Sequence, residues 1–198
     1  SRCGDGVRSV FEGCDDGNDI DDDGCTQCAL DTCGNGQVEQ GEVCDLGPDL
    51  EADDCLRCLG AYRNFAANGV ASASSVHLSA ANALNLDPAV IYHSQHSEHF
   101  NNQPQWWQVD LRQSVRITDI RLWCRQDRSC VEENLTNFHI ETSDDGVNWT
   151  QRLFVDQPAG APSIYVVSRQ ARYVRIAQRD AAPYLQIGAI QVNGFGAD

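Results

Sequence analysis

The chain has 198 residues, ten of them cysteine, and a net charge of −15. That cysteine load belongs to an oxidising compartment, so a secreted or cell-surface protein is expected. Nucleic acid is excluded as a partner, because residues 1–60 hold sixteen acids against three arginines and residues 61–198 hold thirteen acids against eleven, leaving no basic footprint.

No apolar run approaches the ~20 residues a membrane span needs. The opening Ser-Arg-Cys-Gly-Asp-Gly is no signal peptide, which fits a mature or trimmed form. The first element in chain order is a repeat. Cys3, Cys14, Cys25 and Cys28 recur thirty residues later as Cys33, Cys44, Cys55 and Cys58. Cys25-x2-Cys28 and Cys55-x2-Cys58 have zinc-ligand spacing, yet each thiol has partners within its own repeat and the context is extracellular. Eight cysteines leave the connectivity open; pairing within each repeat is expected, because each unit then closes on itself. Units this small bury little core, and each disulfide substitutes for it with roughly 2–3 kcal/mol.

Between the second and third cysteines lie the acids. Asp15, Asp19, Asp21 and Asp23 match Asp45, Asp49, Glu51 and Asp53 in the second copy. Asp19, Asp21, Asp23 and Gly24 open like a calcium loop, although the twelfth position of an EF-hand falls on Leu30 rather than Glu. A structural calcium is expected in the first repeat. The second copy is the poorer match, with Leu46, Pro48 and Asp54 in place of Asp16, Asn18 and Gly24. The alternative is a solvated acidic loop. Residues 3–58 resemble the cysteine-rich repeat named for myxobacteria, which implies extracellular placement and a spacer or ligand-presenting role without catalysis.

From residue 60 to 198 short alternating runs take over, so two units are expected, 1–59 and 60–198. Trp107, Val109 and Leu111 alternate with Gln108 and Asp110. Phe138, Ile140 and Thr142 alternate with His139 and Glu141, and Val174 and Ile176 flank Arg175. Period-two runs separated by Asp144-Asp145-Gly146, Pro158-Ala159-Gly160 and Asn-Gly turns predict a mostly-β sandwich with almost no helix.

Five segments then carry a second resemblance: Asn82-Ala83, Trp-Trp-Gln-Val-Asp-Leu at 106–111, the 143–149 segment ending in Trp149, Ala-Arg-Tyr-Val-Arg-Ile at 171–176, and the 187–194 segment. In this order they resemble the coagulation factor V/VIII type C, or discoidin, family, which implies a jelly-roll sandwich. Trp149, Tyr173 and Val174 are then expected in the core and Asp145-Gly146 in a hairpin turn. Tyr92-His93 followed by Trp106-Trp107 is similar to the F-type, fucose-binding lectin branch. That branch's Arg-x-Asp falls on Arg125 and Asp127. Its pocket His falls on Glu98, beside His99, and its second pocket Arg on Glu132, leaving Arg128 as a substitute. Cys124 and Cys130 replace its adjacent cysteine pair and bracket this loop. Its calcium-site ligands fall on Asn82, Asn85 and Asp87, while its C-terminal acidic ligand is Ala189 here.

These residue types suit a sugar. Arginine spans two vicinal hydroxyls with a rigid fork, Asp127 accepts from a hydroxyl or holds Arg125, and a disulfide from Cys124 to Cys130 sets the loop before the ligand arrives. Trp106, next to the core-facing Trp107, either walls the pocket or covers the opposite face of the sheet. The plainer alternatives are a surface ion pair of Arg125 with Asp127 and a zinc site of His93, His96 and His99. The expected function is an extracellular lectin-like module binding a glycan or glycoconjugate, carried on a disulfide-stapled spacer. The alternative is a discoidin-type adhesion module for a protein or membrane surface; membrane insertion is not expected, because the 94–105 loop offers only Phe100 as an apolar spike. No nucleophile elbow, zinc-protease motif or phosphate loop occurs, so no enzyme is expected.

Overall fold

The computed structural model describes residues 3–8, 12–20, 23–38, 42–48, 55, 58–87, 90–125, 135–157 and 159–196. In the first repeat Cys3 bonds Cys28 and Cys14 bonds Cys25; in the second Cys33 bonds Cys58 and Cys44 bonds Cys55. The pairing is nested and stays within each repeat, which leaves these eight cysteines no thiolate for zinc. Strands β1 (Cys25–Thr26) and β2 (Ala29–Leu30) form a small hairpin, with Gln27 and Cys28 in the left-handed region.

The aspartate that follows each repeat's second cysteine is a latch for the backbone. Asp15 Oδ1 accepts from Gly6 N at 2.8 Å and Gly17 N at 2.9 Å. Asp45 does the same for Gly34, Asn35, Gly36 and Gly47. Burial alone pushes the Asp45 carboxyl up, but these four N–H donors outweigh it and its pKa falls.

The rest of the described chain is a sandwich made by two long bent strands, β6 (Trp106–Trp123) and β9 (Ser163–Gln178). The first part of β6 pairs with β4 (Val70–Ala73) and with residues 173–177 of β9. Past a break between Asp110 and Val115, the second part pairs with residues 163–171 of β9 and with β11 (Ala189–Gly196). Arg112 takes a left-handed φ within that break, and Ser168 at a second register shift opposite Ile117 and Asp119; each long strand contributes to both layers. One layer adds the hairpin of β7 (Phe138–Ser143) and β8 (Thr150–Val155), the other β3 (Arg63–Asn64) at its edge. Short 3-10 turns at 66–68, 80–84 and 97–100 connect strands; among the described residues no α-helix occurs. No helix among them is long and apolar enough to cross a membrane.

The alternation read from sequence is what the layers bury. Trp107, Val109, Ile117, Ile120, Phe138, Ile140, Val174 and Ile176 are fully buried between them. Trp107 also donates from Nε1 to Ala80 O at 2.8 Å, tying the 80–84 turn to the core. Trp149 and Tyr173, expected in the core, are only half-buried. Tyr173 precedes the core-facing Val174, so it points outward, where its ring packs against Trp149 with centroids 6.4 Å apart. The Asp145-Gly146 turn forms as expected, with Asp145 accepting from Val147 N, Asn148 N and Asn148 Nδ2. Asn193-Gly194, a turn signal by composition, is instead a bulge within β11. A Cβ on Gly194 would lie 2.1 Å from Arg116 O, so only glycine fits the approach of β6 there.

The core runs from Phe65 to Val192 and includes none of the described residues of the repeats. A truncated chain starting near Gly60 is therefore expected to fold alone, with a cooperative melt and dispersed amide spectrum. An insoluble or unfolded product would mean that the two regions depend on each other.

Candidate functional site

At one end of the sandwich β5 (Tyr92–His93) pairs with β10 (Gln186–Ile187), setting Tyr92 opposite Ile187 and His93 opposite Gln186. Tyr92 and Ile187 are fully buried in the core. By alternation His93 and Gln186 take the other side of the pair. His77 N and Leu78 N both donate to His93 O, which brings the segment after β4 to the same place.

Beneath them lies a connected network of buried polar groups. Gln105 Nε2 donates to Gln95 O, Gln105 N to Gln178 Oε1, and Gln178 Nε2 to Tyr184 O, at 2.8–3.0 Å. Ser75 Oγ donates to Gln105 Oε1 and accepts from Gln95 N. Ser94 Oγ accepts from Leu185 N at 2.8 Å and donates to Gln95 O at 3.0 Å. Tyr92 donates to Ser75 O, and burial pushes its phenol pKa up. A buried network with its members paired is rigid, so the surface above it is preorganised.

That surface is a cavity of about 510 Å³. His77, His93, His96, His99 and Tyr184 form its walls over a floor of Ser94 and Gln95. The rings meet edge to face: His93 lies 4.8 Å and His96 5.0 Å from Tyr184, and His77 5.2 Å from His93. Arg125, half-buried just past β6, reaches this wall through Gln186. Its Nη1 donates to Gln186 Oε1 at 3.3 Å, and Gln186 Nε2 lies 2.7 Å from His93 Nε2. Imidazole, phenol and amide groups thus converge on a water-sized-to-sugar-sized space with no carboxylate among its described lining residues. Such a set can pair with hydroxyls and lay a ring edge against a pyranose face.

The expected site residues divide. His99 lines the cavity, and Arg125 is joined to it. Glu98 does not line it: its side chain is 77% exposed, with Oε2 3.7 Å from His96 Nδ1. Trp106 covers the opposite face of the sheet, one of the two placements open to it. There the Arg175 guanidinium lies 4.8 Å from the Trp106 ring and 3.7 Å from the Trp149 ring, bonded to Gln108 Oε1. Cys124 is disulfide-bonded. Asp127, Arg128, Cys130 and Glu132 lie outside the described residues.

Asn82 closes its own loop by donating from Nδ2 to Ile91 O, and Asn85 Oδ1 accepts from Asp87 N. Asp87 is exposed, and Ala189 is buried on β11. In the repeats Asp21, Asp49, Glu51 and Asp53 lie outside the described residues. Among the described residues the one tight grouping of metal-ligand types is Glu42, Asp45 and Cys58. It is a staple of the fold: Cys58 is in a disulfide, Glu42 accepts from Thr32, and Asp45 holds four backbone N–H groups. The cavity's histidines form no such grouping, which counts against the zinc reading. Sequence reasoning missed His77, Tyr184 and Gln186. The alternation of Tyr184 and Gln186 with the core residues Leu185 and Ile187 is the signal that could have found two of them.

Residues 82–176 match the model of the F5/F8 type C family described as a NedA-like, galactose-binding domain. Residues 1–29 match a domain of unknown function, DUF4215. No curated protein matches the chain. Among solved structures, a Streptococcus pneumoniae fucose-binding module, SpX-3, is 20% identical, with 65% of this chain and 96% of that one covered and a TM-score of 0.56. An f-lectin (fucolectin) from striped bass (Morone saxatilis) serum is 24% identical over 69% of this chain and 50% of its own, TM-score 0.59. The family 32 CBM of C. perfringens NanJ, solved with galactose, is 16% identical over 67% and 98%, TM-score 0.56. At these identities the likeness is one of fold.

Proposed function

We propose that the sandwich, whose residues 82–176 match the F5/F8 type C family model, binds a neutral glycan in the cavity of His77, His93, His96, His99 and Tyr184. The observation that carries this reading is the rigid cavity itself, built of hydrogen-bonding rings and linked to Arg125. The similarity to a fucose-binding module, a fucolectin and a module solved with galactose supports it. The protein acts by binding rather than catalysis, outside the cell, with the repeats as a spacer that presents the sandwich. A glycan array with the intact chain tests this, followed by calorimetry with fucose, Lewis b and galactose. Binding to fucosylated or galactosyl glycans is expected; silence across the array would reject the reading and favour a protein ligand.

Calcium, in this reading, belongs to the first repeat. Asp15 is engaged as a latch, but Asp16 and Asp23 approach each other, and their mutual hydrogen bond, with burial, pushes the Asp16 pKa up. A cation between them would relieve this. Leu46 replaces Asp16 in the second copy. Saturating chelator is expected to lower the melting temperature or speed amide exchange at 15–20, since a ligand of the native state stabilises it by mass action. Unchanged melting and exchange would leave a solvated acidic loop.

A further inference from the structure

A second cavity, of about 440 Å³, opens where the two long strands break step. Ser114 comes from the break in β6, Arg169, Gln170 and Arg172 from β9, and Asp144 from the turn after β7. Tyr173 pairs with Asp110 on one side and Ser143 on the other, which brings the break and the turn to the same end of the layer. The histidine cavity is at the opposite end of the 106–110 stretch, where Gln105 reaches Gln95 on its floor.

Among the described residues, one charge at this second cavity lacks a counterpart. Arg172 grips Asp110 with two bonds, Nε to Oδ1 and Nη2 to Oδ2, both 2.8 Å long. Arg152, on β8, donates to Thr142 Oγ1 at 2.8 Å and feels Asp144 as its opposite charge. Arg169 is exposed and makes no hydrogen bond and no ion pair with any described residue. It stands near enough to Arg152 that, after burial, its charge does most to lower the Arg152 pKa. An anion beside Arg169 would relieve that repulsion. Ser114 and Gln170, joined by a 3.1 Å bond from Gln170 Nε2 to Ser114 Oγ, place a hydroxyl and an amide oxygen on the same wall.

We propose that this cavity is a second binding site, for an acidic sugar, in which Arg169 takes the sulfate or carboxylate group. The planar fork of Arg169 can pair with two oxygens of either group at once. One uncompensated cation matches one negative charge, so a sulfate ester or a carboxylate suits the site better than a doubly charged phosphate. The Ser114 hydroxyl and the Gln170 amide oxygen then meet ring hydroxyls beside the anion, one donating and one accepting. Asp144 works against the anion and keeps the affinity modest. The described lining of the histidine cavity holds neither an arginine nor a carboxylate, so the two sites select different ligands and can be tested apart.

The test follows backbone amide signals of the intact chain during titration. Galactose 6-sulfate and galacturonate are the probes, with galactose and inorganic sulfate as references. At least one acidic sugar should shift Ser114, Asp144 and Gln170 saturably, about tenfold more tightly than either reference, as a charge-assisted contact implies. The tighter of the two identifies the acid. Arg169→Gln should lower that affinity about tenfold or more and still melt within about two degrees of the parent, because the side chain is exposed and unbonded. Asp144→Asn should raise the affinity about threefold by removing a repelling charge. Signals at 93–99 report the histidine cavity separately, so silence there rejects the neutral-glycan reading and leaves this result standing. No response at 114, 144 and 170 to either acid, equal affinity for a reference, full binding by Arg169→Gln, or weaker binding by Asp144→Asn would overturn the proposal.

Discussion

Replacing Arg125 by alanine is expected to lower glycan affinity by roughly tenfold to over a hundredfold, equivalent to about 1.5–3 kcal/mol. The guanidinium is a multidentate donor joined to the cavity wall through a buried partner, with Nη1 on Gln186 Oε1. Its removal leaves sugar acceptors unpaired and takes one partner from Gln186, which lies against His93 of the cavity wall. The effect on folding should be much smaller. Arg125 is half-buried outside the core cluster, and its hydrogen bond to Gln186 is worth about 1 kcal/mol. Calorimetry against the strongest array glycan, with a thermal melt of the same sample, separates the two quantities. Full binding by Arg125→Ala would move the site to another loop of the sandwich. Arg125→Lys should fall between parent and alanine variant, since lysine keeps the charge but lacks the planar fork.

The largest expected stability loss comes from Trp107→Ala. Trp107 is fully buried between the layers, paired with Ala73 on β4 and Ile176 on β9. Emptying that volume should cost about 3–5 kcal/mol, with the lost Nε1 bond to Ala80 O adding about 1 kcal/mol. Against the roughly 5–15 kcal/mol that stabilises a typical domain, this brings the sandwich close to unfolding at 37 °C. Trp107→Phe keeps most of the volume and forfeits the Nε1 bond, so about 1–2 kcal/mol is expected, in a range a urea titration can read. Trp106→Ala is the control, because its ring lies on the outer face against Arg175 and leaves no buried void. A Trp106 variant less stable than the Trp107 variant would mean that the strand's faces are inverted. Loss of the bond to Ala80 should also loosen the 80–84 turn, visible as faster amide exchange at Asn82 and Asn85.

The sequence by itself determined the parts governed by local periodicity and spacing. Alternation along 107–111 and 138–142 determined which side chains face inward, because successive residues of a strand point to opposite sides whatever the strand pairs with. Two cysteine sets thirty residues apart determined two closed units, and Asp145-Gly146 its hairpin. Arg125 and His99 were legible through motif order beside Trp106-Trp107. What periodicity leaves open is which outward faces meet. Trp106 and His93 both point away from the core, yet Trp106 ends on a sheet face beneath Arg175, while His93 ends in the cavity wall. That difference comes from the pairing of β5 with β10, which brings residues 92–93 and 186–187 together across more than ninety positions of chain. His77, Tyr184 and Gln186 join the site through the same long-range pairing, and no local pattern encodes it. Trp149 and Tyr173 were misplaced for the same reason. Their aromatic character suits a core, but burial depends on which layer covers a face, and their rings pack against each other and the arginines of β9. The nested disulfides were likewise a tertiary decision, since spacing limits the partners while the turn at Gln27 and Cys28 selects them.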